Sequence, residues 1–135
     1  MDYTYDDFGR VTLVTQGGNQ HAYSYDSELL LDTETVTYDL DDDGTAELTR
    51  VLDRSFDSLR RADGWELKDG STVEHASSYG YDVAGRLKSV DPSFPLPANP
   101  AFTYGYVDDS LGLVKTVTGP AHTCLLYTSP SPRDS

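Results

Sequence analysis

The sequence is poor in cysteine, in basic residues and in long apolar runs. Its 135 residues include a single cysteine, so neither an internal disulfide nor a multi-cysteine metal site is available. Ten Lys and Arg residues against 23 Asp and Glu residues give a formal net charge of −13. Phosphate binding requires a basic face, so this charge balance predicts a protein that does not bind nucleic acid.

No apolar run approaches the length of about 20 residues that a membrane helix needs, so no membrane span is predicted. No signal peptide is recognised either, because Asp2, Asp6 and Asp7 stand where a basic start and an apolar run are required. Such a start predicts a cytoplasmic protein only if Met1 is the natural first residue. With 37% hydrophobic and 24% charged residues, the chain fits one globular domain or a piece of a larger protein.

The last residues differ from the rest in composition. From Cys124 they read Cys-Leu-Leu-Tyr-Thr-Ser-Pro-Ser-Pro-Arg-Asp, which resembles one translated reading frame of a sequencing adapter. The acidic, Tyr- and Thr-rich composition also ends at Cys124. We therefore expect residues 1–123 to be a partial repeat segment and residues 124–135 to be a non-native, disordered tail. The natural protein is then expected to continue beyond residue 123.

Tyrosine, in contrast, is abundant and regularly spaced. Eight of the ten tyrosines form Tyr-x-Tyr pairs, which are Tyr3/Tyr5, Tyr23/Tyr25, Tyr79/Tyr81 and Tyr104/Tyr106. Residues two apart lie on the same face of a β-strand, and aromatic side chains suit a pleated, half-buried surface. Each pair therefore predicts a strand with an aromatic stripe on one side.

A turn signal follows two of these strands. Asp-x-x-Gly runs from Asp6 to Gly9 and from Asp82 to Gly85. Asp favours the first position of a type I turn, and Gly favours the last, where φ is positive. An arginine and an apolar segment come next and indicate the returning strand of a hairpin. We predict positive φ at Gly9 and Gly85.

Less regular copies and one break accompany these hairpins. Residues 41–44 and 109–112 predict the same turn, with two extra residues after the tyrosine. Two degenerate copies carry Leu29 and Arg60 at the glycine position. A non-glycine residue with positive φ costs of order 1 kcal/mol, so these two turns are expected to differ in shape. The four prolines within residues 91–100 predict a loop between successive units.

The repeated unit resembles the YD-repeat, or RHS-repeat, family, whose core is Tyr-Asp-x-x-Gly-Arg-Leu. The two best copies place this motif at Tyr5, Asp6, Gly9 and Arg10 and at Tyr81, Asp82, Gly85 and Arg86. The resemblance covers nearly all of residues 1–123. It implies an all-β fold of consecutive antiparallel β-hairpin repeats that form a curved or spiralling sheet, part of a β-shell.

The resemblance also implies a function. Members of the family are large, often secreted or surface-displayed bacterial proteins, in which the shell can enclose a C-terminal toxin domain. This segment would then be shell wall without a catalytic residue, and its partners would be neighbouring repeats of the same chain and an enclosed toxin domain. The alternative is a surface repeat module that binds carbohydrate or a cell surface through exposed aromatic residues. Packed tyrosines favour the wall, and tyrosines along an exposed groove favour binding.

One acidic stretch predicts a metal site. Asp39, Asp41, Asp43 and Glu47 occupy positions 1, 3, 5 and 9 of a calcium-loop frame, with Gly44 at position 6. Carboxylate oxygens at alternate positions around a glycine turn can surround one Ca²⁺. An EF-hand is disfavoured because Arg50 stands at position 12. The alternative is a solvated acidic hairpin turn without a metal, and no other cofactor is expected.

Overall fold

The computed structural model describes residues 1–93, 101–107 and 112–126. The strands are β1 (Asp2–Tyr5), β2 (Val11–Gln16), β3 (Asn19–Tyr25), β4 (Leu31–Tyr38), β5 (Leu48–Phe56), β6 (Ala62–Asp69), β7 (Thr72–Tyr81), β8 (Leu87–Ser93), β9 (Phe102–Tyr106), β10 (Val114–Thr118) and β11 (Thr123–Leu125). The strand order in the sheet is the order in the chain. The predicted all-β fold of consecutive antiparallel hairpins is confirmed. Among the described residues, no helix is long and apolar enough to cross a membrane.

The chain divides into two compact units, Met1–Ala76 and Ser77–Ser135. In the first unit, β1 to β5 each pair with the next strand in antiparallel register, so that the pairings run from β1 to β6. The register shifts at the residue before the turn in three hairpins, at Tyr5, Tyr25 and Phe56. A type I turn that ends in a left-handed residue forms such a bulge, so the turn sequence determines where the shift occurs.

In the second unit, β8 pairs with β9, β9 with β10, and β10 with β11. Cys124 lies opposite Val117, and the N–H of Leu126 donates to the carbonyl of Lys115 at 2.8 Å. The expected disorder of the tail is therefore wrong for residues 124–126, while residues 127–135 lie outside the described part. The physical reason is that a strand edge offers unpaired backbone groups, which Thr123, Cys124 and Leu125 satisfy.

The proline-rich stretch also departs from expectation where the structure describes it. Strand β8 continues to Ser93 and so includes Pro92, whereas a loop was predicted from residue 91. β8 pairs with β9 through Ser89 and Val90, and Pro92 lies two residues beyond Val90. A proline near the end of a strand is tolerated because its missing N–H interrupts little of the ladder. Residues 94–100 lie outside the described part.

Apolar side chains are only partly covered. Among the described residues, no hydrophobic side chain is fully buried, and the buried polar residue is Ser77. Most strand residues are instead half-buried. The stability of the described part therefore cannot depend on a central core. It depends more on hydrogen bonds within the turns and on contacts between adjacent hairpins.

Candidate functional site

An aspartate-centred turn occurs four times in the described residues, at Asp6, Asp26, Asp57 and Asp82. In each copy the aspartate N–H donates to the carbonyl four residues later at 2.9 Å, and the N–H of the third residue donates back to the aspartate carbonyl at 2.8–3.1 Å. The Oδ1 of each aspartate also accepts the backbone N–H groups of the second and the fourth residue after that aspartate, at 2.8–2.9 Å. One side chain thus supplies partners for two turn amides, which explains why Asp begins every copy.

The left-handed position is the same in all four turns. Gly9 and Gly85 have φ of +79° and +81°, as predicted. Leu29 and Arg60 have φ of +70° and +64°, so the expectation that the copies without glycine differ in shape is wrong. The shared backbone and aspartate hydrogen bonds each contribute about 1 kcal/mol, and together they outweigh the cost of a non-glycine residue there.

Leu29→Gly is expected to stabilise the protein by roughly 0.5–1 kcal/mol. The substitution removes about 1–2 kcal/mol of left-handed strain, from which the greater freedom of glycine in the unfolded chain subtracts about 0.5–1 kcal/mol. The lost side chain is 51% exposed, so little burial disappears with it. Urea unfolding measures the effect. Ser27→Gly in the same turn is the control and should destabilise, and equal losses in both variants would contradict the assignment.

In three of the four turns, an arginine clamps the aspartate from the fourth position. Nε of Arg10, Arg61 and Arg86 donates to Oδ2 of Asp6, Asp57 and Asp82 at 2.7 Å, and Nη2 lies 2.6–2.7 Å from the same oxygen. Bonds from the backbone N–H and then the guanidinium of Arg86 lower the pKa of Asp82 below its ordinary 3.8. For Asp57 the guanidinium of Arg61 contributes most to the lowered pKa. The turn at Asp26 has Leu30 in this place.

The clamped arginine also reaches the tyrosine of the following strand. The Arg10 guanidinium lies 4.0 Å from the Tyr25 ring centroid, and the Tyr25 hydroxyl donates to the carbonyl of Val11 at 3.0 Å. Arg86 lies 4.2 Å from the ring of Tyr106, whose hydroxyl donates to the Leu87 carbonyl at 2.6 Å. A cation over an aromatic face is attracted by the ring quadrupole. We call each set of aspartate, arginine and tyrosine an Asp–Arg–Tyr latch.

Sequence reasoning missed this use of the arginine and of the tyrosine hydroxyl. The sequence pattern predicts the arginine only at the start of the returning strand, and the tyrosine only in an aromatic stripe. The available signal was the recurrence of arginine at the fourth position after the turn aspartate. A charged residue that recurs at a strand start suggests a specific partner, because arginine presents a planar donor group and stacks on aromatic rings.

The acidic loop between β4 and β5 is not a further copy of the turn. Its ends are joined by the N–H of Glu47, which donates to the carbonyl of Tyr38 at 3.0 Å. Asp39 caps the loop, since its Oδ1 and Oδ2 accept the N–H groups of Asp43 and Gly44 at 3.2 and 2.8 Å. The predicted Asp41–Gly44 turn is therefore wrong, because the capping carboxylate lies two residues earlier. The other predicted long turn begins at Asp109, outside the described residues, and ends at Gly112, with φ of +62°.

The predicted calcium ligands lie together in this loop. Asp39, Asp41, Asp43 and Glu47 each offer a carboxylate oxygen, and these oxygens all lie within 4.8 Å of one another. Three of the four residues are exposed and Asp39 is half-buried. Several of the oxygens also accept backbone N–H groups, including Leu40 on Glu47 at 2.6 Å and Thr45 on Asp43 at 2.7 Å. The donor set suits Ca²⁺, which takes six to eight oxygen ligands in flexible geometry.

No protein-family model matches the chain, and no curated protein matches it. Solved structures are similar in part. The crystal structure of TcdB2-TccC3-Cdc42 gives a TM-score of 0.47 at 21% identity over 87% of this chain. A Photorhabdus luminescens Tc holotoxin pore with a substituted TccC3 gives 0.48 at 20% identity over the same share. This chain spans only 7% of the length of each. Similarity at this level leaves the function to be inferred from the chain's own residues.

Proposed function

We propose that this chain is a structural repeat segment of a large, secreted or surface YD/RHS-repeat protein of bacteria. It forms part of the wall of a β-shell that encloses a C-terminal toxin domain, and it performs no catalysis itself. The observation that carries the proposal is the aspartate-centred turn, built four times with the same bonds at successive hairpins of one sheet. Identical local architecture at each hairpin is typical of a repeat scaffold, in which each unit is stabilised by its neighbours.

Three half-buried tyrosines, Tyr23, Tyr25 and Tyr106, support a wall in preference to a carbohydrate-binding surface. Tyr25 and Tyr106 are half-buried beneath arginine side chains, and their hydroxyl groups donate to backbone carbonyls of the preceding strand. Tyr23 stacks on His21 with ring centroids 4.3 Å apart, and its hydroxyl lies 3.1 Å from Nδ1 of that histidine. Ring faces and hydroxyl groups committed to contacts within the sheet are poorly placed to stack on a sugar.

The wall function is tested in the natural protein that contains this segment. Asp82→Ala there should open the shell locally, so that a protease cleaves both the repeat segment and any enclosed domain faster than in the parent. The activity of the released C-terminal domain, measured separately, should be unchanged. Unaltered protease resistance, or loss of activity in the released domain, would contradict the proposal. Saturable binding of this chain to a glycan array, abolished by Tyr38→Ala, would favour the surface module instead.

Calcium binding is a second candidate function, supported by the four carboxylates that converge in the acidic loop. Four negative charges in so small a space repel one another, and a divalent cation would relieve that repulsion. When bound, the ion would be held by Asp39, Asp41, Asp43 and Glu47 and would join the two ends of the loop. Its effect would be structural, because it would fix the connection between β4 and β5.

Added Ca²⁺ is expected to raise the melting temperature. Extracellular calcium modules bind with Kd of about 10⁻⁴–10⁻³ M, so roughly 10 mM Ca²⁺ should stabilise the folded state by about 1–3 kcal/mol. Asp41→Asn combined with Asp43→Asn should abolish the increase, whereas the exposed turn substitution Asp7→Asn should preserve it. Calorimetry at millimolar Ca²⁺ measures binding directly. Absence of heat, or an equal response to Asp7→Asn, would leave a solvated acidic loop without a metal.

A further inference from the structure

We propose that Tyr23 is a covalent modification site, whose phenol oxygen accepts an acyl group from an activated ester or thioester with a short apolar chain. His21 is the base that removes the phenol proton, and Glu34 is the residue that positions His21. The inference goes beyond the wall function and does not depend on it. An acylated tyrosine is consumed in the reaction, so the site gives no turnover.

The strand register brings the participating side chains to one face of the sheet. Tyr23 of β3 lies directly opposite Glu34 of β4, and His21 lies two residues before Tyr23. Arg54 of β5 lies two residues beyond Leu52, which is the residue opposite Glu34. Cross-strand partners, and residues two apart in one strand, point to the same side. Three consecutive strands thus place a phenol, an imidazole, a carboxylate and a guanidinium side by side.

A chain of hydrogen bonds joins these four groups and fixes which nitrogen of His21 is the acceptor. Nη2 of Arg54 donates to Oε1 of Glu34, and Oε2 of Glu34 lies 3.2 Å from Nε2 of His21. A carboxylate can only accept, so Nε2 carries the hydrogen and the neutral ring keeps Nδ1 as its acceptor. The Tyr23 hydroxyl lies 3.1 Å from Nδ1 and therefore donates to a basic nitrogen.

This arrangement activates a hydroxyl for covalent chemistry, because the nucleophile is within hydrogen-bond reach of a base that a third group orients. As the Tyr23 oxygen bonds to the carbonyl carbon of the donor, its proton passes to Nδ1 of His21. The bond from that carbon to the leaving oxygen or sulfur breaks, and the leaving group keeps the electron pair and takes up the proton from the imidazolium. The products are an acyl-tyrosine and a free alcohol or thiol. Glu34 stabilises the imidazolium that forms in between.

Two other half-buried tyrosines donate to acceptors that are not bases. The hydroxyl of Tyr25 donates to the carbonyl of Val11, and the hydroxyl of Tyr106 donates to the carbonyl of Leu87. A backbone carbonyl accepts a hydrogen bond without taking up the proton, so it cannot assist an attack by the phenol oxygen. These tyrosines resemble Tyr23 in burial but differ from it in activation. They are therefore internal controls for the effect of the base.

A small groove beside the imidazole indicates the kind of acyl group. It has a volume of about 150 Å³ and is lined in part by His21, Val14, Val36 and Tyr38. The groove begins at the ring whose Nδ1 lies 3.1 Å from the Tyr23 oxygen. Two valines and an aromatic ring favour an apolar chain, and the volume limits that chain to a few carbon atoms.

The probe is p-nitrophenyl butyrate, an activated short-chain ester, added to the full chain. Mass spectrometry of peptides after short exposures gives an acylation rate for each tyrosine. We expect Tyr23 to react roughly 10²-fold faster than Tyr25, which is the lower end of what a positioned base contributes. It should also react faster than Tyr5, which is 56% exposed. Rates that follow exposure, with Tyr5 first and Tyr23 no faster than Tyr25, would overturn the proposal.

Two variants separate the base from the residue that positions it. His21→Asn keeps a hydrogen-bond acceptor near the place of Nδ1 but removes the base, so the Tyr23 rate should fall to about that of Tyr25. Glu34→Gln should lower the Tyr23 rate less, because glutamine both donates and accepts and no longer fixes the ring tautomer. The Tyr25 rate should stay constant in both variants. An unchanged Tyr23 rate in His21→Asn would overturn the role of the base.

Thermal unfolding shows whether the variants fold, and the comparison among the tyrosines of the parent decides the proposal even if a variant does not. The acyl preference is tested with p-nitrophenyl acetate. The ratio of the butyrate rate to the acetate rate should be higher at Tyr23 than at Tyr25, because only Tyr23 adjoins the groove through His21. Equal ratios at the two tyrosines would overturn the groove as the acyl site. The wall function is tested by protease resistance, so the two proposals fail in different experiments.

Discussion

Asp82→Ala is expected to lower the melting temperature by more than any other single turn substitution. The Asp82 carboxylate accepts the N–H groups of Ala84 and Arg86 through Oδ1 and the Arg86 guanidinium through Oδ2. Alanine leaves the two amides without that partner and releases the arginine that covers Tyr106. Loss of a hydrogen-bonding partner costs more free energy than the net gain from forming the bond, because the remaining donors lose their acceptor and are left unsatisfied. Thermal unfolding followed by circular dichroism measures the effect.

Two controls separate the contributions to this effect. Asp26→Ala removes the same pair of amide hydrogen bonds from a turn that has no arginine at the fourth position. It should lower the melting temperature less than Asp82→Ala, and the difference measures the contribution of the arginine clamp. Asp7→Ala changes an exposed carboxylate within a turn and should have little effect. If Asp82→Ala were as mild as Asp7→Ala, the aspartate would not organise the turn.

The Asp82 carboxylate also makes the stability of the protein depend on pH. The pKa of Asp82 is lowered in the folded state, first by the Arg86 backbone N–H and then by its guanidinium. The stability that this carboxylate contributes is fully present above its unfolded pKa of 3.8 and is lost as the pH falls through the lower folded value. The difference between the parent and Asp82→Ala should therefore be constant near neutral pH and shrink below about pH 4.

The turns could be predicted from sequence because their determinants are local. Asp6 and Gly9 are three residues apart, and the hydrogen bonds that join them involve no other strand. Period-two tyrosines and an Asp-x-x-Gly signal were enough to predict hairpins in chain order. The convergence of the four carboxylates in the acidic loop also follows from local spacing, since Asp39 and Glu47 lie within one connection between strands.

Two kinds of feature could not be predicted from local sequence. One depends on whether turn hydrogen bonds outweigh backbone strain, and the other depends on contacts with a neighbouring strand. Leu29 and Arg60 adopt positive φ because the same aspartate bonds stabilise the turn whether or not glycine is present. The Arg10–Tyr25 contact joins the turn of one hairpin to the last strand residue before the turn of the next hairpin, and no local pattern specifies that contact. Pairing of Cys124 with Val117 was missed because the change in composition suggested a tail, whereas an available strand edge accepts any extended segment of suitable residues.

Gly85→Val is expected to destabilise the protein by roughly 1–2 kcal/mol or more, since a β-branched residue resists positive φ. Gly85 has φ of +81°, and a Cβ built there would meet no atom within 4 Å. The cost therefore arises from the backbone conformation and not from a clash. Gly85→Ala should be intermediate, because alanine carries the left-handed penalty without the second branch at Cβ.

Val83→Ala in the same turn is the matched control for this backbone effect. Its side chain is fully exposed, and Val83 is not among the residues with positive φ, so truncation should change the free energy of unfolding very little. Urea unfolding of both variants gives the comparison. A neutral Gly85→Val beside a damaging Val83→Ala would mean that the turn residues contact something other than solvent, and the hairpin register would have to be redrawn. The expected order, with valine worst, alanine intermediate and Val83→Ala near the parent, follows from φ at one residue and from the empty space around it.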